Sequence, residues 1–152
     1  RLNTYVYAKK ALPRELLDEH FREHAAELGD EALWELSAQL TELGRRLTDL
    51  HVTIDVPAIP ALGIAGGPQD LQRFLYWNFL KCFWNPEFGT EASVATNYDW
   101  YAPRTAFRYS RDEFLGMCAE SGWASTFLHG EPACWSGAFH RAEPPTAGGT
   151  SG

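Results

Sequence analysis

Residues 110–140 constrain this chain more than any other stretch, because they spell a helix with both ends marked and then two strands. Ser110 is followed three positions on by Glu113, the pattern of a capping box. Tyr109 and Phe114 stand where the two halves of a hydrophobic staple belong. Phe114, Met117 and Cys118 form an apolar stripe at helical spacing, and Gly122 falls at the position after a helix where a left-handed residue is needed. Trp123 follows it and folds back on the helix. Residues 125–129 read as a buried strand, Gly130-Glu-Pro-Ala133 as a short connection, and residues 134–140 as a second strand.

Upstream, Leu2 to Ala8 reads as a strand through Tyr5, Val6 and Tyr7. Pro13 suits the first turn of a helix whose apolar stripe is Leu16, Leu17, Phe21, His24 and Leu28, with Gly29 ending it. Asp30 then caps a second helix striped by Leu33, Leu36, Leu40, Leu43, Leu47 and Leu50. The two together predict an antiparallel helical hairpin. Residues 51–68 hold Pro57, Pro60, Gly63, Gly66, Gly67 and Pro68 and read as a loop. Residues 69–83 predict an aromatic-rich third helix, ended by Pro86 and Gly89. The stretch from Glu143 to the end is rich in Pro, Gly, Thr and Ser and reads as a disordered tail.

Charge narrows the partners. A net charge of −7 argues against nucleic acid, whose binding needs a basic face, and against anionic membrane surfaces. No stretch is apolar for long enough to span a bilayer, and no signal peptide is visible. Three widely spaced cysteines, each in an apolar setting, suit reduced core thiols and a cytoplasmic location.

The ending resembles the last third of a class I S-adenosylmethionine-dependent methyltransferase: final helix, then a closing strand pair, with the last strand running antiparallel in an otherwise parallel sheet. Residues 97–104, Asn-Tyr-Asp-Trp-Tyr-Ala-Pro-Arg, are similar to a run that precedes the final helix in a group of bacterial members. Residues 1–10 resemble the family's fifth strand, and residues 74–84 look like that group's helical insertion. The resemblance implies an α/β fold, helix-dominated, with a partial Rossmann-like sheet of one strand, a helical insertion, a final helix and two closing strands. It implies that residues 1–142 are the C-terminal part of the domain, with 12–100 a substrate cap, and that a methyl group passes from S-adenosylmethionine to a small molecule. The family's glycine-rich turn is missing: there is no G-x-G-x-G, and Ile64-Ala-Gly-Gly-Pro68 follows coil rather than a strand. With a strand-like start at Arg1, this leads to the expectation of a C-terminal fragment, inactive without a missing N-terminal part of the same protein that holds the cofactor.

Within that frame Asp99 is the candidate base for the acceptor proton, between Tyr98, Trp100 and Tyr101 in what reads as a proline-flanked rim. The bland alternative has Asp99 cap a turn and the aromatics pack. Arg104 and Arg108, with Arg111, are candidates to hold a substrate anion, or else pair with surface carboxylates. Asn78, Lys81 and Trp84 are candidates to face the substrate from the aromatic helix, or to lie at a solvent boundary. His51 is a weaker candidate base. His20-Phe-Arg-Glu-His24 matches H-x-x-E-H, but His24 falls in the apolar stripe and no third ligand is evident, so no metal is assigned. A Cys–His pair from Cys82 or Cys118 with His51 lacks anything to lower the thiol pKa. Beside the methyltransferase stand two other classes, a non-catalytic helical ligand- or protein-binding module and a metallohydrolase built on the H-x-x-E-H helix.

Overall fold

A computed structural model describes residues 1–142; the expected disordered tail at 143–152 lies outside the described residues. The fold is α/β, with a mixed four-stranded sheet and five α-helices among the described residues. Two units are distinguishable among the described residues, 1–9 with 107–142, and Lys10–Ala106 inserted between them in sequence.

The first unit is the sheet. Strands β1 (Leu2–Ala8), β4 (Arg108–Tyr109), β5 (Trp123–Gly130) and β6 (Cys134–Arg141) stand in the order β4-β1-β6-β5. β6 is antiparallel to both its neighbours, so β1 and β5 run the same way, and β4 is parallel to β1. Helix α5 (Arg111–Glu120) starts on the expected capping box: Ser110 Oγ accepts from Glu113 N–H, and Glu113 Oε2 accepts from Ser110 N–H at 2.7 Å. Lys9 reaches the same carboxylate at 2.5 Å, and these contacts, Lys9 first, hold its pKa down to about 2. Gly122 takes φ +76° just beyond the helix, as its place after the C-cap requires. Phe114, Cys118 and Phe139 are the buried centre, packed with Leu2, Val6, Tyr109, Leu128 and Trp135. Met117, expected in the stripe, is exposed.

The opposite face of the sheet is open. Alternation along β1 puts Asn3, Tyr5 and Tyr7 outward, and Tyr5 is 64% exposed. A bulge at 125–127 sets Phe127 opposite Ala138 on that outer face, where it is 59% exposed. The edge of β1 is open as well. Ala8 N–H donates to Ala133 O and Lys9 N–H to Tyr109 O, so odd-numbered residues turn their backbone groups toward the β4 side. There β4 meets only Tyr7 and Ala8. Among the described residues no strand pairs with Asn3 and Tyr5 on that side.

The second unit is helical. Helices α1 (Leu12–Ala25), α2 (Asp30–Asp49), α3 (Leu71–Asn78) and α4 (Gly89–Tyr101) carry it, with a two-stranded hairpin of β2 (Thr53–Val56) and β3 (Gly67–Asp70). The hairpin replaces the loop expected over 51–68, and α3, capped by the Asp70 side chain on Arg73 N–H, is much shorter than the helix expected over 69–83. Asp30 is the first residue of α2 rather than its cap.

The buried faces differ from the apolar stripes. α1 buries Arg14, Asp18, Arg22 and Ala25, leaving Leu16 63% exposed. α2 buries Leu33, Ser37, Thr41 and Gly44, while Leu43 and Leu50 are exposed. The reason is the partner: α2 lies mainly against α4 and α3 rather than in a hairpin seam with α1. Small residues spaced four apart let the backbones come close. Ser37 and Thr41 are buried without loss because their hydroxyls donate to Leu33 O and Ser37 O. No helix among the described residues is long and apolar enough to cross a membrane.

Gly44 is the point of closest approach. A Cβ there would sit 2.3 Å from Cys82 O and 3.2 Å from Trp84 Cβ. On an exposed helix Gly→Ala stabilises by about 1 kcal/mol. Here overpacking against backbone outweighs that gain, and Gly44→Ala is expected to lose about 2 kcal/mol in a urea titration. A neutral or stabilising result would show that the 79–85 segment is free to move away.

Candidate functional site

The densest chemistry lies inside the helical unit and begins with a charge ladder. Arg14, Asp18 and Arg22 recur every four residues, so they share one face of α1, and that face is buried. Arg14 Nε is 2.8 Å from both oxygens of Asp18, and its Nη1 donates to Tyr76 O. Trp100 Nε1 donates to Asp18 Oδ2 at 3.1 Å. Arg22 Nη1 donates to Trp100 O at 2.6 Å and to Pro103 O at 3.0 Å. Buried charges are tolerated only with such close partners, so this face is tied to α3 and α4 at once.

Facing the ladder is a stretch of irregular backbone. After Asn78 the chain leaves the helix, with Phe79 at φ −135°, and stays non-helical until Gly89. Irregular backbone in a packed unit needs partners for its N–H and C=O groups. Side chains supply them. Gln72 donates to Cys82 O at 2.9 Å. Asn97 accepts from Phe83 N–H and donates to Phe83 O and Thr41 Oγ1. Ser93 Oγ accepts from Asn85 N–H. Gln72, Asn97 and Ser93 are all fully enclosed. The segment is therefore held in place, and it presents Lys81.

Lys81 is only 7% exposed. Its Nζ lies 4.4 Å from the centre of the Trp100 ring, while the Arg14 guanidinium stands 5.5 Å from the same ring and 5.3 Å from that of Tyr76. Among the described residues the ammonium has no hydrogen bond and no ion pair. Burial, reinforced by Arg14 and Lys10 and opposed by Asp18 and Asp99, brings its pKa down to about 7. The ring face opposes this shift, since it favours the charged form. Burial also raises the Tyr76 and Tyr101 hydroxyls and the Cys82 thiol. The Tyr101 hydroxyl is enclosed beside the Lys81 backbone N–H without reaching hydrogen-bond geometry.

Of the residues singled out from sequence, Lys81, Trp100 and Tyr101 meet here. The others lie elsewhere. Residues 98–101 are the last turn of α4 rather than a loop, so the helical turn buries Trp100 and Tyr101 and exposes Asp99. Asp99 acts on Lys81 only through its charge. Tyr98 stacks on Trp34 at 4.1 Å and donates to Asp30, a clasp between α4 and α2. Asn78 donates to Phe74 O one turn back in α3, and half-buried Trp84 lies against Gly44. Arg104 is exposed in the helical unit, whereas Arg108 lies in β4 of the sheet unit and Arg111 pairs with Asp112. His51 is exposed, at φ +51°, in the turn after α2. His20 and His24 are both exposed, so His24 is not in a buried stripe; among the described residues no three of His, Cys, Asp and Glu come together as a metal site. Sequence reasoning passed over Arg14, Asp18 and Tyr76. The four-residue repeat of Arg14, Asp18 and Arg22 was the available signal, masked by the leucines beside it.

Comparisons with protein-family models, with curated proteins and with solved structures return no match.

Two outcomes follow from this geometry. In the unfolded chain Lys81 holds its proton up to about pH 10.5, in the folded chain only to about 7. The unfolded state binds more protons across that window, so Lys81 makes stability rise with pH through it. Lys81→Met should flatten this rise and help most below about pH 7, as read from urea midpoints at about pH 6, 8 and 10. A stability difference constant over that range would mean that Lys81 does not titrate there. Asp18→Asn leaves Arg14 buried without its counter-charge, and the same titration at neutral pH should show a loss of about 3–5 kcal/mol.

Proposed function

We propose that this chain supplies the closing part of the sheet of a class I S-adenosylmethionine-dependent methyltransferase, with a partial Rossmann-like arrangement, and that the inserted unit Lys10–Ala106 serves a small-molecule acceptor. The observation that carries the reading is the strand order β1-β6-β5, in which the last strand among the described residues lies antiparallel between two strands parallel to each other. That is the closing arrangement of the family which the sequence resembles, and it follows a strand, a helical insertion and a capped helix in the same chain order.

The open side of the sheet supports the same reading. Sheets of the α/β type are covered on both faces. Here Tyr5, Tyr7 and Phe127 stand on an exposed face that holds an open groove of about 490 Å³, lined by Asn3, Tyr5, Phe127, Ser136 and Ala138 among others. Parallel strands joined to β1 at Asn3 and Tyr5, with their helices, would cover both the edge and the face.

The described residues do not fit the methyl donor themselves. Its cradle is a glycine-rich turn between a strand and a helix. Gly67 instead opens strand β3 of a β-hairpin, and a Cβ on Gly66 just before it would strike Ala58 N. The reading therefore assigns donor binding to the strands that join β1, and it assigns acceptor contact to Lys81, Trp100 and Tyr101 rather than to Asp99.

The test is to express the continuous reading frame from the source DNA and measure binding of S-adenosylmethionine by calorimetry. The full frame should bind it, and residues 1–152 alone should not. A full frame with no strand–glycine turn–helix and no binding would sink the transferase and leave the non-catalytic ligand-binding module.

A further inference from the structure

We propose that Lys81 is a covalent site for a small aldehyde or ketone, which its Nζ captures as an imine against the face of Trp100. This does not rest on the transferase reading, since every group involved belongs to the helical unit.

A nucleophilic lysine needs three things: a free electron pair, a fixed position and no carboxylate to hold it as ammonium. The position is set by the backbone. Gln72 and Asn97 hold Cys82 and Phe83, the residues next to Lys81, so the base of its side chain is anchored on both the α3 and the α4 side. The missing counter-ion is explained by Asp18. It is the only buried carboxylate among the described residues, and Arg14 occupies both its oxygens while Trp100 Nε1 takes one of them again. Arg14 thus stands as a second cation by the ring that Lys81 faces, which disfavours a further positive charge. Asp99 from α4 partly offsets this, and Lys10 adds to it. With a pKa of about 7, amine and ammonium coexist at neutral pH.

The step needs no oxidant or reductant. The Nζ electron pair adds to the carbonyl carbon and the carbonyl oxygen takes up a proton, giving a carbinolamine. A C=N bond then forms as that oxygen leaves as water, carrying the two hydrogens that were on the amine. The product is neutral in its resting form and becomes an iminium on protonation, a cation that the Trp100 face also suits. Enclosure of Lys81 limits the partner to a small carbonyl compound.

The chain has three lysines, Lys9, Lys10 and Lys81, so the other two serve as internal controls. The native chain would be treated with propanal and sodium cyanoborohydride at neutral pH and the modified peptides mapped by mass. Lys81 should be alkylated at least about tenfold faster than Lys9 or Lys10, because burial without a carboxylate partner favours its neutral amine. The preference should vanish in urea, and the native rate should saturate with propanal. Modification of Lys81 no faster than of Lys9 and Lys10 would overturn the proposal. A native rate strictly linear in propanal would overturn the binding of the carbonyl compound, and a preference that survives in urea would show that the fold does not create it.

Discussion

The buried pair of Arg14 and Asp18 is the constraint from which the helical unit follows. One guanidinium reaches a carboxylate on its own helix and a carbonyl on α3, and the carboxylate in turn takes the indole N–H of α4. Three helices are registered by a single group of charges. Buried ion pairs contribute little net stability, because desolvation consumes the attraction, but a misplaced helix would leave a charge without its partner. The cost of misplacement is what such a pair supplies.

A second set of polar contacts does for irregular backbone what the ion pair does for helices. Gln72, Asn97 and Ser93 stand in for the hydrogen bonds that residues 82–85 lose by leaving the helix. Gly44 makes room for the same segment. Four residues from three helices thus converge on a few positions of the chain. The segment is enclosed and fixed, and Lys81 is held buried against the Trp100 ring with no carboxylate partner among the described residues.

The sheet unit is built on a different balance. Its stability rests on one helix, α5, whose start is secured by local contacts within a few residues and whose apolar side meets one face of the sheet. Among the described residues nothing comparable covers Tyr5 and Phe127, and no strand lies beside the edge at Asn3 and Tyr5. Exposed edges of this kind are templates for further pairing.

Local order was legible in the sequence. Ser110 and Glu113 defined the start of α5, Gly122 its end, and the tyrosines and valine of 2–8 the strand β1, because capping, turn geometry and β-propensity act within a few residues. The existence of α1 and α2 was equally readable. What periodicity did not determine was which face of each helix is buried. The leucines of α1 and α2 announced one face, but α2 met α4 and α3, and the face that turned inward carried Arg14, Asp18, Ser37, Thr41 and Gly44. Likewise Asp99 looked like a loop residue between aromatics until the helix carried on to Tyr101 and turned it to solvent. Lys81 was visible as a charge among aromatics, yet its state depends on Arg14 and Trp100, far from it along the chain. Where elements begin and end therefore follows from the order of residues, through interactions of short range. Which polar groups are buried together came from packing alone, because it depends on which distant surfaces meet.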